Sequence, residues 1–69
     1  MQVAVVKTIE LVGVSAAGWR QAAQEALAEA SKTLRNIEEM DVLGTSCTIA
    51  NNEITEYLAH VRIKFRIER

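Results

Sequence analysis

The sequence predicts an α+β fold of order β-α-β-β, a three-stranded antiparallel sheet wrapped on one helix. Three observations carry this. A β-branched opening segment is followed by an alanine-rich stretch with three-and-four spacing. Two long alternating segments then flank Asn51-Asn52. The whole of residues 1–69 reads as one domain, with no linker, internal repeat or low-complexity segment.

The first strand is expected over Gln2 to Val12. Val3, Val5, Ile9 and Leu11 alternate with Ala4, Val6, Thr8 and Glu10. Both sets contain apolar side chains, so the strand reads as buried on much of both faces. Gly13 and Ser15 punctuate its end, and the Ser15 hydroxyl is a candidate helix N-cap.

The helix is expected from about Ser15 to Arg35. Trp19, Ala22, Ala23, Ala26, Leu27, Ala30 and Leu34 form one apolar stripe. Alanine lets a helix lie close to a sheet but buries little area per residue. At 1.5 Å per residue this helix would be roughly 30 Å long.

The third and fourth segments are Ile37 to Ala50 and Glu53 to Arg69. Asparagine tolerates positive φ, so Asn51-Asn52 suits a two-residue hairpin turn. That loop sets Ile49 against Ile54, Thr48 against Thr55, Val42 against Val61 and Met40 against Ile63. It also sets Asp41 against Arg62 and Glu39 against Lys64. Apolar meets apolar and acid meets base, which a one-residue slip would undo. The helix-side face is then Tyr57, Ala59, Val61, Ile63, Phe65 and Ile67, with Met40, Val42, Gly44, Ser46 and Thr48. The far face carries Leu43, Cys47, Ile49, Ile54, Leu58 and His60 among charged residues. Fourteen strand residues span roughly 46 Å, so the helix cannot cover the hairpin. Leu43, Ile49, Ile54 and Leu58 would be wet in a monomer, which implies a subunit interface.

Composition narrows the function. The chain is 49% hydrophobic and 25% charged, hence globular. A net charge of -1 argues against a nucleic-acid partner. The uncharged run Leu11–Trp19 is too short to cross a membrane. The start lacks the basic and apolar regions of a signal peptide, and Cys47 is alone, so a cytoplasmic protein is expected. So small a core, without proline, disulfides or an evident metal cluster, calls for support from self-assembly.

The chemistry-bearing residues each have a plain alternative. Glu38, Glu39 and Asp41 form an acidic cluster that symmetry copies could complete as a calcium site. The plainer reading pairs Glu39 and Asp41 with Lys64 and Arg62 across the hairpin. Lys7, Lys64, Arg62 and Arg66 could line an anionic ligand, or simply pair with Glu10, Glu39, Asp41 and Glu56. His60 falls opposite Leu43, four residues from Cys47, so a Cys-His pair would need inter-subunit geometry. The plainer reading is a strand histidine and a small interfacial thiol. Trp19 reads as packing at a core edge or interface. No catalytic constellation remains, so no enzyme activity is expected.

Lys7-Thr8-Ile9-Glu10-Leu11-Val12-Gly13, Ser15, the alanine-rich helix, Lys32-Thr33-Leu34-Arg35, Tyr57 and Phe65-Arg66 follow in order. This set resembles the dodecins over nearly the whole chain. The resemblance implies a hollow homo-dodecamer that binds a small molecule or ion, flavin (FMN, FAD or riboflavin) in its usual members. It further implies a tryptophan after the helix that stacks on the flavin ring and a last-strand glutamine that reads the ring edge. The equivalent positions here are Glu39 and Leu58. Neither can play its part, since a carboxylate has no π-face and leucine has no donor or acceptor. Some dodecin-like proteins with a tryptophan early in the helix resemble this pattern and are described as binding calcium. The resemblance therefore implies a binding or storage shell in which the usual flavin is disfavoured and calcium is an alternative.

Overall fold

The computed structural model describes residues 5–67. Gln2, Val3 and Ala4 of the expected first strand, and the last two residues of the expected third, lie outside them. The order is β1 (Val5–Ser15), α1 (Trp19–Ala30), β2 (Ile37–Ala50) and β3 (Glu53–Ile67). The sheet is antiparallel with β3 in the middle, in the order β1-β3-β2.

The hairpin forms as its sequence dictates. Asn51 and Asn52 have φ of 54° and 64°, the pair of left-handed residues that a type I′ turn needs. Ile49 faces Ile54, Val42 faces Val61, Asp41 faces Arg62 and Glu39 faces Lys64. The register nevertheless shifts at three places. Leu43 is an extra residue between Val42 and Gly44, Thr55 is skipped opposite Thr48–Ile49, and Glu38 is skipped near Phe65. The two threonine hydroxyls still hydrogen-bond at 2.6 Å, although Thr48 now pairs with Glu56.

The Leu43 bulge corrects the expected faces. Gly44 pairs with His60, Ser46 with Leu58 and Cys47 with Tyr57. Thr45 and Cys47 therefore share the helix-side face with Ala59 and Tyr57, while Gly44, Ser46 and Thr48 turn to the far face. One inserted residue reverses the phase of a period-two strand until a second insertion restores it.

The helix is shorter than expected, twelve residues or about 18 Å. Ser15 is not its cap. Pairing with Tyr57 holds Ser15 in β1, and its hydroxyl accepts from the Ala17 amide at 3.0 Å. Gly18 takes the N-cap position without a side-chain bond. At the other end the Ser31 hydroxyl donates to the Ala28 carbonyl at 2.8 Å. The following amides of Lys32 and Thr33 reach back only three residues. Such local polar bonds compete with helix propagation, and Asn36 then turns into the left-handed region with φ of 60°.

The core is a thin layer. Ala22, Ala23, Ala26 and Ala30 of α1 lie on Ala59, Val61 and Ile63 of β3, with Ile9, Leu11, Leu34, Ile37 and Met40 packed around them. Val61 and Ile63 are the largest fully buried side chains, each contributing about 2 kcal/mol. The expectation that β1 is buried on both faces fails within one chain. Ile9, Leu11 and Gly13 turn to the helix, but Val6, Val12 and Val14 are exposed on the other side. Expected exposure at Leu43, Ile49 and Ile54 is found; Leu58 is half-buried.

Candidate functional site

The far face of the sheet carries a charge ladder built on β3. Arg62, Lys64 and Arg66 alternate along the middle strand, so they project to one side. Each finds acids on a flanking strand. Arg62 donates to Glu10 at 3.3 Å. Lys64 lies 3.2 Å from Asp41 and 4.0 Å from Glu39. Arg66 donates to both Glu38 oxygens, at 2.8 and 3.2 Å. The expected Asp41–Arg62 ion pair is thus replaced. Arg62 sits between acids on both neighbouring strands and takes the β1 partner, leaving Asp41 to Lys64. The expected Glu39–Lys64 pair is present at the longer distance.

Within one chain this ladder gives each acid of the cluster a partner. Glu38, Glu39 and Asp41 each face a cation of their own chain rather than converging. Among the described residues no group of three histidine, cysteine or acidic side chains is placed to hold a metal ion. The Arg66 hydrogen bond, aided by its charge, holds the Glu38 carboxyl below its ordinary value, against a smaller opposing effect of desolvation.

Glu39 and Leu58 lie on the same far face but not together. Glu39 pairs with Lys64, six residues along β3 from Leu58, a span of roughly 20 Å. Leu58 sits between Val14 and Ser46. Beside it the Ser46 hydroxyl hydrogen-bonds His60 Nε2 at 3.2 Å. This contact is not visible from the uninterrupted alternation, which puts Ser46 and His60 on opposite faces. Gly44, a glycine inside a strand, is the sequence signal that marks the bulge.

On the helix side Trp19 caps the core edge. Its ring meets Tyr57 edge-on, 4.7 Å between centroids, and its Nε1–H donates to the Ser46 carbonyl at 2.9 Å. It lies far along the strands from Glu39. Cys47 is a free thiol, half-buried on this side opposite Tyr57. His60 is on the other face, opposite Gly44 rather than Leu43, so the strand itself separates the two. Because α1 lies over β1 and β3, β2 keeps an open flank. Two adjoining clefts of about 410 and 560 Å³ run between α1 and β2 and share Gln24 and Met40.

No helix among the described residues is long and apolar enough to cross a membrane. The family model for Dodecin matches residues 5–68. The curated dodecin of Thermus thermophilus is 41% identical over 64 residues, 93% of each chain. A crystal structure of a single-residue variant of the T. thermophilus dodecin superposes with a TM-score of 0.91 at 39% identity, covering 96% of this chain and 98% of that one. The dodecin of Streptomyces coelicolor gives 0.94 at 28% identity, over 100% and 99%. The calcium-chelating calcium dodecin of Mycobacterium tuberculosis gives 0.81 at 26%, over 93% and 91%.

Proposed function

The chain belongs to the dodecin family, and on that footing we propose that it forms a non-enzymatic, cytoplasmic shell that binds and stores a small ligand. The shell is a closed homo-oligomer, a dodecamer by family likeness. The observation that carries the assembly is apolar surface left bare in one chain. Val42 is 54% exposed although its cross-strand partner Val61 is fully buried, and Ile49 and Ile54 are 59% and 49% exposed. The core of seven mostly small side chains among the described residues cannot offset the cost of ordering such a chain without further burial.

The ligand of this reading is not a stacked flavin. Position 39 supplies a carboxylate in place of an aromatic plane, and position 58 a leucine in place of an edge-reading amide. Stacking of a flat ring on an aromatic side chain contributes about 1–3 kcal/mol, so its loss lowers affinity by one to two orders of magnitude. A flavin held by a substitute site is a competing outcome. Calcium is a second reading, supported by likeness to the calcium dodecin. In that reading Glu38, Glu39 or Asp41 exchanges its cationic partner for the ion.

Light scattering at low micromolar concentration tests the shell, which requires a large particle and no stable monomer. The absorbance spectrum of protein as purified tests the ligand, because a tightly held flavin gives a yellow solution. Elemental analysis tests for calcium. A colourless, calcium-free particle supports the reading; a yellow one overturns its ligand half alone.

A further inference from the structure

Ser46 of β2 and His60 of β3 form a polar pair on the far face that stands apart from the charge ladder. The Ser46 hydroxyl and His60 Nε2 lie 3.2 Å apart, and both residues are exposed. The Leu43 bulge puts them on one face, since it sets Gly44 rather than Leu43 opposite His60. Gly44 also leaves the space beside the ring open, because a Cβ there would have no neighbour within 4 Å. On the other side His60 pairs with Val12, which is 50% exposed.

Ser46 is held from both sides of the sheet. Its carbonyl accepts the Trp19 Nε1–H at 2.9 Å, while its hydroxyl holds the imidazole. That hydroxyl donates to Nε2 or accepts from it according to the tautomer of the ring, so the pair persists in either. The opposite ring nitrogen, Nδ1, is then a hydrogen-bonding edge without a partner among the described residues.

The surroundings decide what such an edge suits. Arg62, two residues along β3, is bound to Glu10 of β1, and Asp41 of β2 is paired with Lys64. Glu56 lies four residues the other way along β3, roughly 13 Å off. The charges flanking His60 on all three strands are therefore matched or distant. Nearer the ring stand Val12 and Leu58, with Leu58 between Val14 and Ser46. A hydrogen-bonding edge beside apolar side chains suits a ligand with a polar edge and a flat or apolar body. It offers a full negative charge no spare cation to offset its desolvation.

We propose that Ser46 and His60 form a binding site for an uncharged ring that carries an amide or carbonyl edge. His60 Nδ1 reads the edge, Ser46 orients the imidazole, and the ring lies over the open place at Gly44 against Val12 and Leu58. The inference rests on the small-ligand reading given above and names the chemical class of that ligand.

Saturation-transfer NMR titrations of the full chain with nicotinamide and nicotinate test this, because the two share a ring and differ in the charge of its edge. Nicotinamide should bind saturably, and nicotinate more weakly or not at all. His60→Leu should weaken nicotinamide binding roughly fivefold, the share of one net hydrogen bond. His60→Gln, which keeps a donor and an acceptor, should recover part of that loss. Ser46→Ala should weaken binding too, whereas Ser46→Thr, which keeps the hydroxyl, should not. Both side chains are exposed, so circular dichroism should show every variant folded. Unchanged nicotinamide binding in His60→Leu overturns the site and leaves the small-ligand reading in place. Equal loss in Ser46→Ala and Ser46→Thr overturns the orienting role of the hydroxyl. Equal binding of nicotinate overturns the ligand class. A wild type that binds no nicotinamide overturns the inference, and light scattering then reports separately whether the shell stands.

Discussion

Gly13 of β1 lies directly beneath the Ala22 carbonyl of α1, so close that a Cβ on Gly13 would fall on that oxygen. The contact sets how near the helix comes to the sheet. Alanine on the helix face and glycine on the strand together make the thin core, with Ala22 and Ala59 fully buried on either side of it.

Gly13→Ala should therefore destabilise the fold by about 3 kcal/mol, the upper part of the usual range for overpacking, because the obstacle is backbone and cannot swing away. Urea unfolding measures it. A loss below ~1 kcal/mol would show that the helix can lift from β1 at little cost.

The turn offers a second test. Asn51 and Asn52 both occupy the left-handed region, where a β-branched side chain costs about 1–2 kcal/mol. Asn51→Val and Asn52→Val should each lower stability by that amount, and Asn52→Gly should be neutral or stabilising. Equal melting temperatures for Asn52→Val and Asn52→Gly would contradict the turn geometry.

The sequence reveals the turn and the two ends of the hairpin because asparagine pairs and matched charges are local signals. Asp41 opposite Arg62 and Ile49 opposite Ile54 follow from counting back from Asn51-Asn52. The Leu43 bulge has no signal in the apolar alternation, since Val42, Leu43 and Cys47 satisfy either phase. Only Gly44 hints at it, and without it the faces of residues 44–48 come out reversed. The helix start fails for a different reason. A serine suited to capping also suits a strand end, and what decides is the tertiary pairing of Ser15 with Tyr57. Of the candidate site, the identity of positions 39 and 58 is legible, but their separation along one face is a property of the folded register.

Acid should weaken the far-face ladder through Glu38. Its carboxyl is held below the ordinary value of 4.5 by Arg66. The folded state thus binds that proton less readily than the unfolded chain does. The stabilisation is fully present above the unfolded value and is lost as pH falls through the lowered folded one. Glu38→Gln should be less stable than wild type near neutrality, and the two curves should converge below pH 4.5. A gap that stays constant with pH would assign the effect of the substitution to something other than this ion pair.

The positions proposed for the ligand, Glu39 and Leu58, give the sharpest test. Glu39→Trp with Leu58→Gln restores a stacking plane and an edge-reading amide, and should raise flavin affinity sharply over a weak or absent wild-type binding. Stacking alone accounts for about 1–3 kcal/mol, and the amide hydrogen bond adds about 1 kcal/mol. The two positions are roughly 20 Å apart in one chain, more than a three-ring system spans. The gain should therefore depend on assembly and disappear in any variant that stays monomeric. Quenching titrations of flavin fluorescence measure both. Tight binding by the unmodified protein would show that another side chain replaces the missing plane, and Trp19, 41% exposed, is the residue to substitute next. If wild type and double variant both fail to bind while the particle remains whole, the backbone at these positions has departed from the flavin-binding geometry, and Glu39 and Leu58 are not the site.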